Sequence, residues 1–124
     1  MNITLWVLQI LLAALFLLHG GALILPPATM RASFAADFVN LPPGTQVLIG
    51  SAELLAGLGL ILPGITRIAP WLTPLAATGL VPIMLGAIVV HARRGEAGPA
   101  IFNMVTTVLL ALVAYLRWRV LPLG

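Results

Sequence analysis

The chain has 124 residues, of which 61% are hydrophobic and only 7% charged, and its formal net charge is +3. Ordinary globular domains carry roughly 25% charged residues, and a soluble fold with so few would lack the polar surface to cover its core. Six arginines, set singly or in one pair, are too few for a nucleic-acid footprint, and the absence of cysteine excludes disulfides, thiol redox chemistry and a cluster held by the chain's own thiolates.

Ile3 to Leu25 is the first apolar run, interrupted by Thr4, Gln9 and His19. No basic residue precedes it, it is too long for a signal peptide, and no small-x-small cleavage site follows, so a retained membrane helix is expected. Pro26-Pro27 ends the run, because proline lacks an amide hydrogen and disfavours helix in the residue before it. In the connection over residues 28–40, Phe34 and Phe38 stand one helical turn apart beside Arg31 and Asp37, the pattern of a short interfacial helix. The second run, residues 46–63, holds Glu53 near its middle and stops at Pro63-Gly64, with Arg67 at the surface. The third, residues 68–90, has Pro70 and Pro74 suited to its first turn and Pro82 at mid-span, where a kink is expected. His91-Ala-Arg-Arg-Gly-Glu96 is a surface loop; the fourth run, residues 99–119, then closes on Arg117, Trp118 and Arg119, an interfacial anchor.

Each run crosses, or nearly crosses, a hydrocarbon core of about 30 Å at about 1.5 Å per residue. The chain therefore reads as an all-α membrane protein of one domain: a four-transmembrane-helix bundle with a short interfacial helix between helices 1 and 2. Four spans put both termini on one face, called proximal here; the first and third loops lie on the distal face. Arg67, Arg117 and Arg119 mark the proximal face and Arg31, Arg93 and Arg94 the distal one, a balance that leaves orientation open. The free amino group and the C-terminal arginines lean toward termini in the cytoplasm.

Depth sorts the polar groups. At helical rise His19 lies about 9 Å and Glu53 about 10–15 Å below the distal face. His91 closes the third helix at that face, and Asn103 sits one turn into the fourth with Thr106 and Thr107 just deeper. Gln9 is the strongly polar exception. In helical phase, Gln46, Gly50, Glu53, Gly57 and Gly64 share a stripe about 40° to either side of its centre line. Asn103, Thr107, Leu110, Ala114 and Arg117 form a comparable stripe. Small and polar stripes face other helices rather than lipid, so a polar cavity open toward the distal face and closed below by apolar packing is expected.

A carboxylate in a membrane span costs about 2.5 kcal/mol or more and persists only with a partner, water or its own protonation. Glu53 and His91 are accordingly the candidate catalytic groups. His19, Gln46, Asn103, Thr107, Arg93 and Arg94 are the candidate substrate-binding groups. Each has a structural alternative: Glu53 locking helices together, His91 capping a helix end, Asn103 bridging helices, and the arginines anchoring lipid phosphate. Two histidines and a glutamate without spacing such as His-x-x-x-His give no expectation of a metal. Gly57-Leu-Gly59 has no third glycine at phosphate-loop spacing and carries no nucleotide reading.

The chain resembles the DoxX-like family of small four-helix membrane proteins over nearly its whole length. The resemblance is carried by His19-Gly-Gly21, by the stretch Ile49-Gly-Ser-Ala-Glu53 to Pro63, by Trp71 to Leu80, by Met84-Leu-Gly-Ala, by His91-Ala-Arg-Arg-Gly-Glu96 and by Arg117. It places the family's membrane glutamate on Glu53 and its loop motif on His91, Arg93, Arg94 and Glu96. Where a lysine would follow the first-helix glycines, this chain has Leu23 and Ile24. The resemblance implies a membrane subunit associated with quinone-linked redox chemistry or oxidant resistance, in the bacterial inner membrane. No intrinsic cofactor is expected beyond a bound quinone. Expected partners are the lipid bilayer, a small lipophilic ligand, and either further copies of the chain or a redox subunit. Three readings stay open: a subunit binding a quinone or similar lipophile, a membrane-embedded acid–base enzyme of isomerase or hydrolase type using Glu53, and a structural or assembly protein.

Overall fold

The computed structural model describes residues 2–25 and 41–122. Helix α1 spans Asn2–Ile24, α2 Pro43–Gly59, α3 Leu62–Thr66, α4 Leu72–Arg93 and α5 Ala97–Tyr115, and α5 runs on into a π-helical turn, Leu116–Val120. Among the described residues there is no strand. Four segments are long and apolar enough to cross a membrane: residues 2–24, 43–66, 72–93 and 97–120. The protein is thus a four-span helical membrane protein. The interfacial helix expected over residues 28–40 lies outside the described residues.

Local chemistry explains the boundaries. Pro43 occupies the first position of α2, where a missing amide hydrogen costs nothing. The second span is two helices rather than one. Its main helix ends at Gly59, four residues before the Pro63 that was to stop it. After the turn at Leu60 and Ile61, Pro63 and Gly64 fall within α3. Arg67 and Ala69 then take left-handed backbone conformations that turn the chain into α4. Pro74 sits in the first turn of α4, and Pro82 is carried inside one continuous helix with its ring on an exposed side. Gly95 supplies the positive φ of the tight connection to α5.

Two helical hairpins form the bundle, α1 with α2 and α4 with α5; α2 and α4 join them more closely than α1 and α5 do. Leu12, Ala13, Phe16, Leu23, Leu60, Ala77, Leu80, Leu110 and Val113 fill the core. The opposite faces expose Leu11, Leu48, Leu55, Leu85 and Val108 to the surroundings. Such a surface is stable in lipid, where apolar exposure carries no penalty.

The α1–α2 contact is close because three glycines lie in it. A Cβ on Gly20 would stand 2.8 Å from the Gly50 carbonyl oxygen and 2.9 Å from the Glu53 Cβ. On Gly57 it would meet Leu17 at 2.9 Å. The buried positions of α2 are Gln46, Gly50, Glu53 and Gly57, the stripe read from helical phase, except that Gly64 belongs to the next helix. On α5 the buried positions are Ala100, Asn103, Thr106, Leu110 and Val113. Thr106 thus takes the inward place expected of Thr107.

Candidate functional site

The close approach of α1 and α2 brings two polar side chains together. Glu53, 0% exposed, meets His19 with Oε2 at 2.7 Å from Nδ1. The carboxylate faces the imidazole because Gly20 and Gly50 remove the side chains that would hold the helices apart. A hydrogen bond this short to an ionisable ring is the partner that a carboxyl in a span requires.

Across the bundle, His91 closes the last turn of α4. Its Nδ1 lies 2.9 Å from Glu96 Oε1, and the Glu96 amide donates to the His91 carbonyl at 2.9 Å. The side chain of Glu96 is 42% exposed, so this second pair reaches from the interior to the distal surface.

Between the pairs lies a cavity of about 410 Å³. Four of the sequence candidates line it: His19, Glu53, His91 and Asn103. Its apolar wall is Leu15, Phe16 and Met84, and Gly98, Pro99 and Phe102 stand where it reaches the exposed side of α5. Each of the four spanning segments contributes. The Asn103 amide nitrogen is buried and makes no hydrogen bond among the described residues, although it borders this space. A buried donor left unsatisfied costs about 1–3 kcal/mol.

The other candidates lie elsewhere. Gln46 is buried near the start of α2 and donates to the Leu41 carbonyl at 2.8 Å. Thr107 donates to the Asn103 carbonyl at 2.7 Å, within its own helix. Arg93 and Arg94 are exposed at the distal end of α4, outside the cavity lining. No cluster of three or more metal-ligating side chains occurs among the described residues.

At the proximal end the fold joins polar groups that the sequence reading had not brought together. Arg117, read both as an interfacial anchor and as a member of the inward stripe on the fourth span, is buried. Its Nε donates to Gln9 Oε1 at 2.6 Å, and its Nη1 donates to Asn2 Oδ1 at 2.6 Å and the Leu121 carbonyl at 3.0 Å. The guanidinium also lies 5.6 Å from the centre of the Trp6 ring. Gln9 in turn donates to the Leu60 carbonyl at 2.7 Å, one of the groups left open where α2 ends. Arg117 stands seven residues after the buried Leu110, so ordinary helical phase carries it to the inward face that the stripe on the fourth span marked. The signal available in the sequence was the isolated Gln9, which needed a partner at its own depth.

Four apolar spanning helices packed as two hairpins define the class: a small four-helix integral membrane protein. The chain belongs to the DoxX-like family, whose sequence model matches residues 7–113. Neither a curated protein nor a solved structure matches it.

Proposed function

We propose that this protein binds a quinone or another small neutral lipophile in the distal cavity and serves as a redox-associated membrane subunit. The observation that carries this reading is the Asn103 amide: buried, bordering the cavity, and without an acceptor among the described residues. A carbonyl oxygen on a ring would satisfy it. The His19–Glu53 and His91–Glu96 pairs stand by as groups able to give or take protons at the same head. Leu15, Phe16 and Met84 supply the apolar contact that such a ring needs, and few polar groups in an apolar chamber is the usual form of a small-molecule site. Membership of the family agrees with a membrane setting for this chemistry.

Binding of a short-chain quinone to the purified protein in detergent tests the reading. Loss of a satisfied buried hydrogen bond is worth about 1–1.5 kcal/mol, so Asn103→Leu is expected to weaken binding roughly tenfold. Glu53→Gln and His91→Ala are expected to lower the affinity as well. Unchanged affinity in all three variants would remove the reading.

A second reading rests on the 2.7 Å contact of His19 with Glu53. A carboxyl oriented by an imidazole is equipped for general acid–base catalysis on a lipophilic substrate. Turnover abolished by Glu53→Gln in a folded protein would select it over binding alone.

A further inference from the structure

A second concavity lies on the outside of the bundle, between α4 and the C-terminal half of α5. It has a volume of about 710 Å³ and is independent of the distal cavity, sharing no lining residue with it. Ala111 and Ala114 leave the space, Leu75 and Pro82 wall it on α4, and Trp118 and Arg119 stand at its proximal end. We propose that this groove is a specific site for an anionic phospholipid of the proximal leaflet, with an acyl chain along the alanines and the phosphate on Arg119.

The groove opens on a face that meets lipid, and its walls are apolar over the length of a chain segment. Trp118 and Arg119 are both exposed at the depth where an indole and a guanidinium meet headgroups. Charge selects the kind of headgroup. The acidic side chains of the chain are Asp37, Glu53 and Glu96. Asp37 belongs to the connection between the first two spans, and the two glutamates pair with His19 and His91 in the distal half. Among the described residues, Arg67, Arg117 and Arg119 therefore share the proximal end with no acidic side chain. Arg117 is turned inward on neutral groups, and Arg119 forms no ion pair among the described residues. A phosphate diester with no compensating cation is the ligand that complements Arg119; a zwitterionic headgroup complements it less well. A cationic residue near an anionic leaflet gains about 1 kcal/mol, which corresponds to a fivefold preference.

Native mass spectrometry of the full-length protein, released from neutral detergent, tests the site with phosphatidylglycerol and phosphatidylcholine of identical chains. The wild-type protein is expected to retain phosphatidylglycerol about fivefold more strongly, by the same 1 kcal/mol. Arg119→Gln should bring the ratio close to one, while Arg67→Gln, on the same face but away from the groove, should leave it unchanged. Ala111→Leu, at an exposed helical position, should weaken both lipids by filling the groove. Equal retention of the two lipids by the wild-type protein would overturn the proposal. So would equal effects of Arg67→Gln and Arg119→Gln, which would mean diffuse attraction, or a dimer that excludes both lipids.

Discussion

Replacing Gln9 by leucine removes, in one step, the acceptor of the Arg117 Nε–H bond and the donor to the Leu60 carbonyl. The guanidinium remains 2% exposed with only its Nη1 bonds to Asn2 and Leu121. Withdrawing the partner of a buried charge costs about 3–5 kcal/mol. Arg117 lies near the end of its span and recovers part of this by reaching toward the surface, so the lower figure, about 3 kcal/mol, is expected. Arg117→Met removes the charge itself but leaves the Gln9 oxygen buried without a donor, at about 1–3 kcal/mol, and forfeits the Trp6 contact, worth about 0.5–1 kcal/mol. If the groups act as one unit, the double replacement leaves little polar surface stranded and should cost about 3 kcal/mol, well below the additive sum of roughly 5–6. Reversible unfolding in mixed micelles, followed by helical circular dichroism, measures all three variants. Additivity within about 0.5 kcal/mol would refute the reasoning, because Arg117 would then be acting at the surface and not as the clasp of α1 to α5.

The glycine seam gives a paired prediction: Gly20→Ala should cost about 1–3 kcal/mol by overpacking against Gly50 and Glu53. Gly86→Ala, where an added Cβ meets nothing within 4 Å, should be neutral or raise stability by about 0.5–1 kcal/mol; thermal melts of both variants in detergent check the contrast. Met84→Trp directs a larger side chain into the cavity and is expected to abolish quinone binding while the helical spectrum is retained. Binding that survives in that variant would mean the lipophile sits elsewhere.

The spans were legible because four apolar runs bounded by proline, glycine and arginine admit one reading in lipid. The stripe on α2 was legible for a related reason: glycine beside glutamate has no stable place against hydrocarbon, and Gln46, Gly50, Glu53 and Gly57 are all buried. Depth alone put His19 and Glu53 in one leaflet, and they lie 2.7 Å apart. Three features escaped. Phase counted at 100° per residue put Thr107 inside, yet the neighbouring Thr106 is the buried one, because each hydroxyl satisfies itself on the preceding turn and neither pins the rotation. Helical phase placed Arg117 on the inward stripe, seven residues after Leu110, but its partners escaped, because an arginine at the end of an apolar run ordinarily reaches outward to lipid phosphate and not to Gln9 and Asn2. The break after Gly59 escaped as well. It depends on tertiary bonds: Gln9 and Thr73 take the open carbonyls of Leu60 and Gly59 at 2.7 and 2.8 Å.

The charge state of the cavity restricts what it can hold. The ionisable groups that line it are His19, Glu53 and His91; His19 meets Glu53, and His91 meets Glu96 outside the lining. Arg93 and Arg94, the nearest cations in sequence, do not line the space. Among the described residues that line the space there is no arginine, so an anionic head would leave its hydration without a guanidinium among them to meet it, whereas a neutral carbonyl or hydroxyl meets the Asn103 amide. On the binding reading, a short-chain quinone should be displaced by a neutral analogue of similar size and left in place by a fatty acid of equal apolar area. Stronger competition by the fatty acid would mean that a cation reaches the chamber, and the assignment of the ligand as a neutral lipophile would fail.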